Sequence, residues 1–305
     1  MVVLQPVLIL FFMIGLGYVA QKTKLLSADI RGPLTSYVIN LALPLFILHN
    51  MNFDFDRQIL INSLAVLGMS VGTYIVMTLL SVLYAKRSKL PPDKLPAYQF
   101  GMVFSNVGFM GYPLIAGLFG AEAVFYAVIF SIAFESFVWT YGVSIFRKEG
   151  KINFKSLITP NLVALATGLI LFLLDFRWPD VLANGIEMVG RTATPLSMIV
   201  VGMMLAEVQL KDMIKDIKPF IISVYRLVII PAFTLGIYWF VGMRGLKLAV
   251  PVMIMTTPIA TYGAILASYY KKDFREATRL VIISTLLSLV TIPIWATIIS
   301  RITGL

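Results

Sequence analysis

Three ionisable side chains stand inside long apolar stretches of this 305-residue chain: Glu135 in AFESFVW, Arg191 four residues before Pro195, and Arg226 in YRLVIIP. Surroundings of that kind penalise a charge unless it faces a partner, trapped water or a protein interior. Glu135 has the chemistry to take up and release a coupled proton; alternatively it is half of a buried ion pair with either arginine. Arg191 carries a planar fork that grips a carboxylate through two parallel hydrogen bonds. Its structural alternatives are an interhelical donor, or a side chain reaching along the helix toward water. Arg226, early in its stretch, reads as reaching toward the nearer interface. His49 reads as the polar end of a helix. The absent chemistry is equally informative: there is no cysteine and only one histidine, so thiolate or multi-histidine metal sites and cysteine nucleophiles are excluded. No phosphate-binding loop and no GxSxG elbow occurs. The expected complement of catalytic groups, cofactors and metals is therefore none.

A second group of residues speaks through the backbone. SNVGFMGYPLIAGLFG, starting at Ser105, sets Asn106, Gly108, Gly111 and Pro113 inside an apolar run, and TTPIATYGAILASYY, starting at Thr256, does the same with Thr257, Pro258 and Gly263. Proline removes a backbone donor and glycine tolerates the resulting geometry, so both runs are expected to be interrupted helices. Freed backbone groups cannot face lipid. They must line a cavity or be covered, and helix starts there present N–H groups and positive dipole ends that favour an anion. The alternative is a kinked helix with a purely structural role. The residues expected around a bound substrate are Asn106, Gly108, Gly111, Pro113, Thr257, Pro258 and Tyr262, with Arg191 as carboxylate clamp and Glu135 as proton carrier.

The elements that position these residues follow from composition. Hydrophobic residues make up 59% of the chain and charged residues 13%, about half the charge of an ordinary soluble domain at about 25%. Apolar runs long enough to cross a bilayer recur at 2–21, 33–51, 59–85, 96–119, 122–146, 159–175, 184–206, 219–241, 247–270 and 278–301. The sixth is the shortest. The first lacks a basic leader and a cleavage site, so it reads as a retained helix. The net charge of +10 calls for no nucleic acid, because the bases lie in short loops. With the amino terminus outside, the inward loops hold Lys22, Lys24 and Arg31; Lys86, Arg87, Lys89 and Lys94; Arg147, Lys148, Lys151 and Lys155; Lys211, Lys215 and Lys218; and Lys271, Lys272, Arg275 and Arg279. The outward side holds only Arg57, Arg177, Arg244, Lys247 and Arg301. Alternation at every loop is what the inside-positive bias requires, and it places both termini outside.

A shift of 151 residues superimposes Pro44 on Pro195 and Ser105-Asn106 on Thr256-Thr257. Five spans fall in 1–150 and five in 151–305. An odd count forces opposite polarity on the second half, as in the inverted repeats of secondary transporters.

ALPLFI in the second span, SNVGFMGYPLIAGLFG in the fourth and TPIATYGAILASYYKKDFREATRLVIIST across the last two resemble the auxin efflux carrier family over the whole chain. That family includes plant auxin carriers and microbial permeases for malate, malonate and similar acids. The resemblance implies an all-α membrane fold of ten helices in two inverted five-helix repeats, akin to bile-acid and sodium/proton carriers. Spans four and nine would cross as broken helices beside the substrate, with Asn106 and Pro113 at one crossover and Pro258 at the other. Spans 1, 2, 6 and 7 would form a homodimeric scaffold, against which spans 3–5 and 8–10 move as a transport unit in elevator fashion. The short connection between spans five and six marks a microbial member. Paired intramembrane aspartates, typical of sodium/proton antiporters, are missing.

The expected activity is therefore secondary transport of small carboxylates across the cell membrane. Alternatives are a cation- or proton-linked carrier, a transporter-like receptor for an auxin-like or bile-acid-like acid, and, least supported, an intramembrane enzyme.

Overall fold

The computed structural model describes residues 4–147, 159–207 and 216–305. The basic residues expected to face inward at Lys148, Lys151, Lys155, Lys211 and Lys215 lie outside the described residues. Helices are α1 (Leu4–Lys22), α2 (Ala28–Asn50), α3 (Arg57–Arg87), α4 (Leu95–Val103), α5 (Val107–Phe146), α6 (Pro160–Leu173), α7 (Asp180–Ala206), α8 (Lys218–Phe240), α9 (Leu246–Met255), α10 (Tyr262–Tyr269) and α11 (Phe274–Thr303). Among the described residues there is no strand beyond one isolated pairing, between Ser105 and Ile259. Seven of these helices, α1, α2, α3, α5, α7, α8 and α11, are long and apolar enough to cross a membrane. The chain is thus an all-helical, multi-pass membrane protein.

Local sequence accounts for the breaks and bends. Thr159 caps α6 by accepting from Leu162 N at 3.2 Å, with Pro160 in the first turn, where its missing donor costs nothing. Asp273 caps α11 by accepting from Glu276 N at 2.9 Å. Widened π turns occur at Val38–Ala42, Val107–Gly111, Val138–Gly142 and Tyr225–Ile229, and all but the third are followed two residues later by proline: Pro44, Pro113 and Pro231. A proline ring collides with the carbonyl of the preceding turn, and the extra residue in the turn makes room for it. Pro113 accordingly lies within a continuing helix rather than at its interruption. The interruptions themselves fall at 104–106 and 256–261, between α4 and α5 and between α9 and α10. Gly263, expected at the second break, is helical. The 40 residues of α5 would measure about 60 Å as one straight helix, twice the thickness of a bilayer core. Gly120 turns it with φ 78° and ψ −169°, backbone angles that glycine alone adopts readily.

The chain forms two compact units. The first comprises Met1–Leu64, Gly108–Ile129 and Ile158–Val208; the second comprises Ala65–Val107, Phe130–Leu157 and Gln209–Leu305. Each draws on both halves of the sequence.

In the first unit α1 lies directly on the second part of α7. A Cβ added at Gly17 would strike the carbonyl of Ile199, and one at Gly202 the carbonyl of Ile14. Small residues let helix backbones meet in this way, which replaces the hydrophobic drive that lipid does not supply. Just past the end of α7, Glu207 pairs with Arg31 of α2. Elsewhere in the unit Arg177 pairs with Asp54 at 2.6 Å, and Phe53, Phe125 and Phe172 pack ring on ring.

The second unit has a buried aromatic core. Tyr74 of α3 stacks on Phe104 and Phe137 and packs beside Phe130 and Phe134. Where α4 and α11 begin, the Tyr98 hydroxyl donates to Glu276 at 2.6 Å, and Lys94 and Arg279 approach the same carboxylate at 3.8 Å.

Candidate functional site

The two interruptions in the second unit satisfy one another. Asn106 N donates to Pro258 O at 2.8 Å, and Ala260 N donates to Phe104 O at 3.0 Å. This is a two-bond antiparallel ladder between Ser105 and Ile259. Ile259 N donates to Ser284 Oγ of α11 at 3.1 Å. Such pairing answers the requirement that apolar surroundings impose on unwound backbone. It also fixes Asn106, which is buried, beside the carbonyl end of α9.

The threonines at that end are engaged differently from expectation. Thr256 Oγ1 donates to Met253 O at 2.7 Å and Thr257 Oγ1 to Ile254 O at 2.8 Å. Both hydroxyl protons are spent on the last turn of their own helix. Thr257 therefore retains acceptor capacity but is not a side-chain donor. Tyr262, at the start of α10, sets its ring centroid 6.4 Å from Phe134 and 6.1 Å from Trp139.

Glu135 is buried and accepts from Trp139 Nε1 at 2.8 Å. It lies within electrostatic reach of Tyr74. The ion pair of Glu135 with an arginine is not what the arginines use. Arg191 pairs with Glu187, one helical turn before it, and its side chain is 73% exposed. The guanidinium of Arg191 thus has a carboxylate already, and it belongs to the first unit. It does not join the cluster around the paired breaks. Gly108, Gly111 and Pro113 also fall in the first unit, where Gly108 packs near Leu43 and the neighbouring Phe109 carbonyl accepts from Ser197 Oγ at 3.0 Å.

Arg226 behaves in the opposite way to its sequence reading. It does not reach an interface: it is 0% exposed, in the widened turn Tyr225–Ile229. Its two terminal nitrogens end 3.4 and 3.3 Å from Met255 Sδ, and its Nε has no partner. A thioether is a weak acceptor, and burying an ion costs several kcal/mol even after relaxation of its surroundings. Met255 is the last residue of α9, so this charge is held one residue from the second interruption. The Tyr74 hydroxyl and Ser105 Oγ lie side by side there, both buried and with no hydrogen-bond partner beyond one another, with Tyr74 in electrostatic reach of Arg226.

Comparison with known proteins gives this geometry its setting. The model of the family described as "membrane transport protein" matches residues 2–153 and 149–296. The chain belongs to that family. The resemblance to auxin efflux carriers read from the motifs is borne out. An "uncharacterized transporter" of Methanothermobacter thermautotrophicus is 27% identical over 300 residues, covering 96% of this chain and 97% of the relative. The "uncharacterized transporter MJ1031" of Methanocaldococcus jannaschii is 23% identical over 304 residues, covering 97% and 98%. Both relatives are archaeal, and both are matched over nearly their full length.

Within this transport family member, sequence reasoning missed Tyr74 and misassigned Arg226. A signal for Arg226 was available. It stands eight residues beyond Lys218, about 12 Å deeper along a helix, which is far for a side chain reaching back to the same interface. For Tyr74 the only hint was the polar run of Ser70, Thr73 and Tyr74 in an apolar helix; Thr73 bonds Tyr238 at 3.0 Å in the same buried layer.

Proposed function

We propose that this membrane transport protein is a secondary carrier of small organic anions, carboxylates above all, across the cell membrane. The observation that carries the reading is the reciprocal backbone pairing of two interruptions, Asn106 with Pro258 and Phe104 with Ala260. Unwound backbone is tolerated at membrane depth where it is covered by protein or lines a substrate path, and paired breaks near mid-membrane are the binding plan of many carriers. The substrate-facing groups in this reading are the Asn106 side chain and the start of α10 at Tyr262.

The same reading takes the chain as ten spans in two inverted five-helix repeats with both termini outside. Support comes from the Gly120 turn, which separates the start of α5, read together with α4 as one interrupted span, from a following segment long enough to cross by itself, and from the alternating loop charge. Alternating access is of the elevator type, with spans 1, 2, 6 and 7 as a dimeric scaffold and the rest as the moving unit. The first compact unit holds spans 1, 2, 6 and 7, as such a scaffold would, together with 108–129 of spans 4 and 5. Glu135, buried and held by Trp139, is the proton carrier.

The test is flux in proteoliposomes. Labelled acetate, malonate and malate are offered with pH and sodium gradients imposed separately. Carboxylate movement driven by the pH gradient is expected, and Glu135→Gln should lose that drive while still exchanging carboxylate. If no carboxylate moves under any gradient, the anion-carrier reading falls. If Glu135→Gln keeps the full response to pH, the proton passes elsewhere.

A further inference from the structure

Among the described residues of the second unit, Arg226 of α8 is fully buried, and Tyr74 of α3, in electrostatic reach of it, stands beside Ser105 of the first interruption. The Arg226 Nε lacks a hydrogen-bond partner, and the buried Tyr74 and Ser105 hydroxyls have none beyond one another. Buried polar atoms are nearly always paired and buried charges matched, so the unmatched guanidinium calls for a reason. A structural reason for Arg226 would be a cap on α9, with its N–H groups donating to the last carbonyls. They are directed instead at the Met255 sulfur. A buried counter-ion would be another reason, but no carboxylate among the described residues pairs with Arg226.

We propose that Arg226, Tyr74 and Ser105 form the seat of one substrate carboxylate, whose negative charge completes the buried arginine. This rests on the reading of the chain as an organic-anion carrier and names the group that the anion meets. The donor count fits. An ionised carboxylate presents about four lone-pair sites and accepts a guanidinium in bidentate fashion. Two N–H groups of Arg226 and the hydroxyls of Tyr74 and Ser105, once turned from one another toward the ligand, would supply four donors. The charge count fits one carboxylate rather than a doubly charged oxyanion, since Arg226 is the basic side chain buried there. The place fits as well: Ser105 is paired opposite Ile259 in the ladder between the interruptions, and Met255 directly precedes the second one. The seat is therefore built on the element that the proposed transport cycle must guard.

The experiment is thermal unfolding of the purified protein in lipid nanodiscs, titrated with acetate, malonate or malate against chloride at equal ionic strength. Carboxylate is expected to raise the unfolding temperature of the wild-type protein and chloride to leave it unchanged. Arg226→Met, which keeps the bulk and removes the charge, should unfold no lower than the wild type without ligand and lose the carboxylate response. Tyr74→Phe and Ser105→Ala should each raise the half-saturating carboxylate concentration about tenfold. A folded Arg226→Met protein that responds as the wild type does would overturn the seat. So would one that unfolds far below the wild type without ligand, since that marks a structural cation. If Arg226→Met does not fold, the double variant Tyr74→Phe/Ser105→Ala decides: unchanged affinity rejects the proposal and a large loss upholds it. Flux separates this outcome from the wider reading. Wild-type protein that moves carboxylates, together with Arg226→Met that moves them equally, removes only the seat. Wild-type protein that neither binds nor moves them removes the carrier reading itself.

Discussion

The two compact units solve the problem of an apolar surrounding by different means. In the first, helix backbones touch at Gly17 and Gly202, and three of its arginines each have a carboxylate, Arg31 with Glu207, Arg177 with Asp54 and Arg191 with Glu187. In the second, two helices are interrupted, the gaps are closed by mutual backbone bonds, and an arginine is buried against nothing stronger than a thioether. The first arrangement leaves little unsatisfied. The second holds a fully buried guanidinium that no carboxylate among the described residues matches, which is a condition under which an anionic ligand would change its energy. The arginines make the lesson concrete. Arg191 and Arg226 both interrupt apolar sequence, yet one is exposed with a carboxylate in hand and the other is sealed in without one.

That contrast can be broken at several points. The largest effect is expected from Gly202→Leu, because the α1 and α7 backbones leave no room for a side chain. Overpacking costs typically 1–3 kcal/mol, and here the obstacle is backbone, so the variant should fail to give a monodisperse, folded protein on size-exclusion chromatography. Normal folding would mean that the close contact is dispensable. Asn106→Ala should be next. Its backbone bond to Pro258 survives the change, so the unfolding temperature should stay within a few degrees, while carboxylate affinity falls about tenfold for one lost charge-assisted hydrogen bond. Unchanged affinity would remove the Asn106 side chain from the site. The smallest effect belongs to Arg191→Gln. An exposed pair one turn apart on a helix contributes about 0.3–0.5 kcal/mol, so carboxylate affinity should change less than twofold. A loss comparable to that of Asn106→Ala would restore Arg191 to the site and erase the distinction between the two arginines.

Much of the helical framework was legible because it rests on local properties. The apolar runs, the boundary between 119 and 122, and the presence of interruptions near Asn106 and Pro258 all follow from residue type and spacing. Their placement was less legible. Gly108, Gly111, Pro113 and Gly263 looked like parts of the breaks, yet all four are helical and the gaps lie at 104–106 and 256–261. A widened turn can absorb a proline without ending the helix, and nothing in the composition of a run distinguishes that outcome from a true gap. The hydroxyl of Thr257 was expected to face a ligand; its choice of the Ile254 carbonyl is made by the geometry of a helix end.

The sequence by itself determined that this protein is helical, polytopic and of a transport family, since hydropathy, loop charge and motif are carried along the chain. It also supplied the ionisable residues that the apolar stretches must accommodate. Only the tertiary structure decided which of them is satisfied. For Arg191 the partner is local, Glu187 one turn away, whereas the surroundings of Arg226 are set by Met255, a residue of the next helix. Burial and pairing are properties of three-dimensional neighbours, and the cost of a charge is set by those neighbours rather than by its place in the sequence.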